Sequence, residues 1–286
     1  MRNPATSEHP SSIAGHLPLL ARVIGVVVAI LAANLWLLLL SALPVALALT
    51  LECAFLGVFL WWAAGGGPPR TLRIFRAVSF RRITLNPNQW ACGLLAALFF
   101  AITIHAALVL LFRFIPYPVA AFRQGYDLSF LPSHTLQWLV VIVAAASAAI
   151  CEETAFRGFI QKPLESRYSL WLAVGISSLA FTALHLSKSW ALAAMIPIVF
   201  GAGVLLGLLA HAAQSLVPGM IGHFVMDVGL FAYWWTGIAG QFRARPIFET
   251  GPDLAFVVAV CLLALSLALV VVAVRRLRRI APAACA

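Results

Sequence analysis

Three short stretches hold the residues that can do chemistry: Glu152-Glu153-xxx-Arg157, Phe181-xxx-His185 and His223-xxx-Asp227. They set two adjacent carboxylates, two imidazoles and a further acid inside runs that are otherwise apolar. A charged side chain at bilayer depth costs about 2.5–3.5 kcal/mol on insertion scales, so such groups face a bundle interior or a wet cavity and have a task there. Neighbours on a helix point about 100° apart, so Glu152 and Glu153 are expected to meet different partners. Glu153 and Arg157 stand at i, i+4, acid before base, the spacing of a same-face ion pair. That pair is expected to neutralise Arg157 and fix the helix rotation in a supporting role. Glu152 then projects toward a cavity, flanked by Ala148 and Ala149, which permit close helix approach. His223 and Asp227, again at i, i+4, present both groups to one side.

Two chemistries fit this set. In one, Glu152 takes a proton from a water held by His185, while His223, with Asp227 or a backbone amide, stabilises the oxyanion of a tetrahedral intermediate. The result is hydrolysis of a peptide bond without a covalent intermediate. In the other, Glu152, His185 and His223 bind zinc and leave a fourth position for water. Spacing does not choose between them. Cys151, next to Glu152, has no activating group placed by sequence, and a buried thiol of that kind is inert.

The elements that must position these groups are membrane helices. With 63% hydrophobic residues, 10% charged residues and a mean hydropathy of +1.00 over 286 positions, the chain reads as an all-α polytopic membrane protein. A spanning helix needs about 20 mainly apolar residues. Eight candidates result: 19–41, 44–63, 90–111, 137–161, 170–187, 190–211, 216–236 and 254–274. The net charge of +10 sits in short clusters beside these runs, where it sets topology and meets anionic lipid heads, which argues against a nucleic-acid partner. The five cysteines are odd in number and mostly lie in apolar runs, so no disulfide framework is expected.

Residues 1–18 read as a polar, disordered tail, 19–136 as the first three helices, 137–236 as the core carrying all three motifs, and 237–286 as a last loop, the eighth helix and a basic tail. Arg70, Arg73, Arg76, Arg81 and Arg82, the 161–169 turn with Lys162 and Arg167, and Arg275, Arg276, Arg278 and Arg279 fall on one side in an eight-helix count. The opposite connections hold Arg113, Arg123, Lys188, Arg243 and Arg245. By the positive-inside rule both termini are then cytoplasmic, and the Ala-, Leu- and Arg-heavy composition suggests a bacterial inner membrane. At about 1.5 Å rise per residue, Glu152, His185, His223 and Asp227 fall between the inner interface and the midplane, which allows a shared cavity open to the cytoplasm. Outside the motifs, Glu52 is expected to be a hydrogen-bonded structural acid and His105 a hydrogen-bonder within the bundle. Trp61, Trp62, Trp138, Trp234 and Trp235 are expected to anchor helix ends at the interface, and the basic 70–82 stretch to lie as a helix on the cytoplasmic leaflet.

Glu-Glu-xxx-Arg, Phe-xxx-His and His-xxx-Asn/Asp, in that order on separate helices, resemble the CAAX-protease and bacteriocin-processing family of intramembrane endopeptidases. The resemblance implies that Glu152 and His185 prepare the attacking water and that His223 and position 227 form the oxyanion site. The substrate it implies is a membrane-embedded or lipid-anchored polypeptide. Members of that family are labelled metalloproteases, and a glutamate mechanism without metal is also proposed for them, so zinc remains open. The sequence departs from the eukaryotic-type prenyl proteases at Asp227, where they carry Asn. An ionised Asp cannot donate to an oxyanion, so Asp227 is protonated, or orients His223, or ligates a metal. Two competing readings use the same residues: a proton-coupled transporter, and a non-catalytic membrane scaffold or immunity protein of the same fold.

Overall fold

The structure, a computed structural model, describes residues 19–81, 84–188, 193–243 and 245–280; the tail expected over 1–18 and Cys285 lie outside the described residues. The main helices are α1 (Leu19–Ala33), α2 (Leu35–Ala42), α3 (Val45–Ala63), α4 (Arg73–Ser79), α5 (Pro87–Phe114), α6 (His134–Glu153), α7 (Leu170–His185), α8 (Ile196–Ala213), α9 (Val217–Gly229) and α10 (Leu254–Ile280). Among the described residues there is no strand. Helix α6 continues as a wider π-helical stretch over Thr154–Gln161, and α9 continues as another over Leu230–Trp235.

Each of the eight expected apolar segments is mainly helical over its described residues, but they differ in length. Among the described residues five helices are long and apolar enough to cross a membrane, and a sixth span follows if the pair formed by α1 and α2, bent by 46° at Asn34, is taken as one. The other two segments are α7, with 16 residues, and α9 with its π-helical continuation. Sixteen residues rise about 24 Å, short of a hydrocarbon core about 30 Å thick. Leu254, Val258, Leu262 and Leu265 of α10 point outward, as do Leu94 and Leu98 of α5, which suits contact with lipid tails.

The bundle has two distinguishable ends, and the polar contacts define them. At one end Arg81 pairs with Glu165 at 2.7 Å, Lys162 donates to Gln214 at 3.2 Å, and His211, Leu170, Arg275 and Arg278 share a surface pocket. At the other, Arg113 pairs with Asp253 at 2.8 Å where α5 ends and α10 begins, Lys188 donates to Asn34 at 3.3 Å, and the Tyr117 hydroxyl donates to the carbonyl of Trp234. Antiparallel packing of α5 on α10, tied at mid-length by Thr103 and Ser266 (2.9 Å), keeps these ends apart.

Two surface expectations are corrected here. Among the described residues of the basic 70–82 stretch, seven form an α-helix, α4, and its Arg76 is buried: it donates to the carbonyls of Trp62 (2.6 Å) and Gly66 (2.7 Å) and stacks on the Trp62 ring at 4.6 Å. Phe75 stacks on Phe159. The stretch is therefore a clasp on the bundle, because a guanidinium that can reach several free carbonyls is better placed there than at the lipid surface. Trp234 and Trp235 are likewise core residues, 1% and 7% exposed, packed among Phe112, Tyr117, Tyr126 and Phe231. Trp61, 58% exposed, suits the anchor role.

Candidate active site

Ser133 caps α6 by accepting from the Leu136 amide, and the helix then runs unbroken until the chain widens after Glu153. A π-helical turn adds about one residue per turn and re-aims the side chains around it, so both motif helices change pitch beside their acids. Glu153 is the last residue before the first widened stretch, and Asp227 lies three positions before the second.

The side chains converge on His223. Its Nδ1 lies 3.0 Å from Glu153 Oε1, and since a carboxylate only accepts, Nδ1 carries the proton. Its Nε2 lies 3.9 Å from Glu152 Oε2 and 3.5 Å from Asp227 Oδ2. The expectation that Glu152 and Glu153 serve different partners is corrected: they flank one imidazole from its two nitrogens. A flat ring wedged between side chains 100° apart can touch both. The expected Glu153–Arg157 pair is present at 2.9 Å with both side chains fully buried. Arg157 also donates to the carbonyl of Gly203 at 3.1 Å and lies 4.6 Å over the ring of Phe181. Gly219 makes room for Glu153, since a Cβ there would sit 3.2 Å from Oε2.

Phe181 explains its place in the motif. Its ring meets Phe156, Arg157, His185 and His223, so one aromatic side chain spaces both imidazoles. Its carbonyl lies 2.8 Å from His185 Nδ1. A carbonyl only accepts, so that nitrogen carries the proton and Nε2 carries the lone pair. Glu152, His185, His223 and Asp227 line one cavity, and Glu152 Oε2 is buried with no hydrogen-bond partner.

The cavity does not open toward the basic clusters. That side is closed by a polar layer: Gln161 donates to Gly207 O (2.9 Å) and to Glu165 (2.7 Å), and Arg81 reaches both Glu165 and Ala210 O. Leu216 is fully buried beside it. The cavity instead extends past Met226 and Trp36 to Phe122, Tyr126, Asn34 and Lys188, all at the other end. Depth alone located the reacting groups without revealing which end was sealed.

Among the described residues no three His, Cys, Asp or Glu side chains stand where they could together hold a metal ion. Each imidazole turns Nδ1 to an oxygen, His223 to Glu153 and His185 to the Phe181 carbonyl, which leaves the two Nε2 atoms as the ones able to meet a ligand.

Sequence reasoning missed the rim residues Asn34 and Lys188 and the second contact of Glu153. A lone Asn in an apolar run was the available signal for the first. Nothing in spacing announced the last. Glu52 accepts from Ser147 at 2.7 Å and His105 bridges Met226 O and Trp234 Nε1 at 3.2 Å each, which agrees with their structural reading.

An all-helical membrane protein with acids and imidazoles gathered on a buried cavity is the class these observations define. Residues 134–229 match the family model described as type II CAAX prenyl endopeptidase, Rce1-like, which bears out the resemblance drawn from the three motifs over the stretch that holds them all. The match supports a CAAX-type peptidase activity in general terms. No curated protein and no solved structure matches the chain.

Proposed function

We propose that the protein is an intramembrane endopeptidase that hydrolyses a peptide bond of a membrane-associated polypeptide with a water activated by Glu152 and His185. The observation that carries this reading is the shared cavity, with the unpartnered Glu152 Oε2 set 3.9 Å from His223 Nε2. A water between Glu152 and His185 gives its proton to the carboxylate, and the resulting hydroxide adds to the carbonyl carbon. When His223 is protonated on both nitrogens it donates Nδ1–H to Glu153 and presents Nε2–H to the developing oxyanion. Glu153 thus orients the imidazole and supports its charge, the division of labour of a carboxylate behind a catalytic histidine. Glu152 returns its proton to the leaving amine as the intermediate collapses.

Asp227, 3.5 Å from the same Nε2, acts by orienting His223 and balancing its charge rather than by donating to the oxyanion. The protein sits in a bacterial inner membrane with both termini cytoplasmic, and helices four to seven of an eight-segment bundle form the catalytic core. The test is cleavage of membrane-tethered peptides by purified protein, with and without a chelator. Activity that survives chelation and vanishes in Glu152→Gln supports a water activated by glutamate. Loss on chelation with recovery on adding zinc replaces it with a metal mechanism.

A further inference from the structure

We infer that the catalytic cavity opens on the non-cytoplasmic face of the membrane and that its substrate is an exported, membrane-tethered polypeptide presented from that side. The inference rests on the peptidase reading for the word substrate, while the sidedness stands on charge and geometry alone.

The two ends of the bundle carry unequal charge. The end with Arg81, Lys162 and the C-terminal arginines bears eleven Lys and Arg and one acid, Glu165; the end with Lys188 bears five, offset by Asp127, Glu249 and Asp253. All sit in short connections or beside helix ends, the setting in which Lys and Arg bias orients a membrane protein with its basic side in the cytoplasm. Arg76 and Arg81 are folded inward, but the rule acts on the chain during insertion, before such contacts form. The rim residues Asn34, Tyr126 and Lys188 stand at the poorly charged end.

Helix lengths explain why the opening is there. Helix α7 begins at Leu170 on the basic end and stops at His185, which lines the cavity, so its 16 residues, rising about 24 Å, do not carry it across a hydrocarbon core about 30 Å thick. Beside it the bend at Asn34 breaks the α1–α2 pair, and the Asn34 side chain accepts from Lys188 across the rim. Below, the layer of Arg81, Gln161 and Glu165 joins three segments of chain with hydrogen bonds of 2.7–3.4 Å and leaves no lining residue of the cavity on the basic side. A tail anchored in the cytoplasmic leaflet would have to break that layer to reach Glu152. A segment entering past Tyr126 and Lys188 meets mainly apolar walls, among them Phe122, Met226 and Phe231, before it reaches the acids and imidazoles.

The test is site-directed thiol labelling of the full chain in intact cells with a membrane-impermeant maleimide, the unsubstituted protein serving as blank. Gln124, exposed between the lining residues Phe122 and Tyr126, and the exposed Ser129 are replaced singly by Cys on the rim side, and the exposed Thr71 on the basic side. The expected result is labelling of Gln124→Cys and Ser129→Cys in intact cells, at least several-fold above the blank, and of Thr71→Cys only after permeabilisation. Labelling of Thr71→Cys in intact cells, or of the two rim positions only after permeabilisation, overturns the inference. Repeating the labelling in a Glu152→Gln background separates the two claims, since sidedness is read there without any hydrolysis.

Discussion

The polar layer toward the basic end and the cavity above it meet on α6 and its continuation, yet they pair their atoms differently. In the layer, Glu153 meets Arg157 at 2.9 Å, Gln161 meets Glu165 at 2.7 Å and Arg81 meets Glu165 at 2.7 Å. In the cavity, the nearest charged or imidazole partners of Glu152 and Asp227 stand at 3.9 and 3.5 Å, and Glu152 Oε2 has no hydrogen bond. Tight pairing holds helices in register. Loose pairing leaves oxygens available to a water and a substrate, at a cost in stability that the layer below must offset. His223 joins the two regions, with one nitrogen in each.

The comparison is broken most severely at Arg157. Arg157→Ala leaves Glu153 charged, buried and unpaired, which costs about 3–5 kcal/mol. The expected outcome is loss of a folded, monodisperse protein in detergent, read by size-exclusion chromatography and thermal unfolding. His223→Ala spares the ion pair but removes the proposed oxyanion donor, so hydrolysis is expected to fall by about 10²–10³-fold with the protein still folded. Glu153→Gln sharpens the boundary between the regions. It keeps a side chain of the same shape next to His223 but leaves the buried Arg157 charge unbalanced and weakens support of the imidazolium, so a loss of stability of about 3 kcal/mol is expected together with a fall in kcat on the order of 10²-fold in the protein that folds. Glu52→Gln marks the lower limit: Ser147 keeps an acceptor, and a change below about 1 kcal/mol in stability with unaltered hydrolysis is expected.

Much of this was legible in the chain. Apolar runs gave every main helix except α4, because burying backbone polar groups in lipid leaves few alternatives. The i, i+4 spacing gave the Glu153–Arg157 pair, and the order of the motifs gave the gathering of Glu152, His185, His223 and Asp227. What stayed hidden depends on contacts between segments far apart in sequence. The short α7 reads as a full span until its end at His185 is seen. Arg76 and Arg81 read as lipid-facing until the carbonyls of Trp62, Gly66 and Ala210 appear beside them. Trp234 reads as an anchor because an aromatic at a helix end looks the same in a core and at an interface. The direction in which the cavity opens depends on which end the polar layer seals, and no local pattern encodes that.

Glu152, the one acid of the α6 motif that holds no other group in place, carries the proposed hydrolysis. The measurement is hydrolysis and thermal unfolding of purified Glu152→Gln beside the unsubstituted protein in the same detergent. A fall in hydrolysis of at least about 100-fold at an unchanged unfolding temperature is the predicted result, in the range expected for removing a general base. Retained hydrolysis, or a loss of folding equal to that of Arg157→Ala, contradicts it.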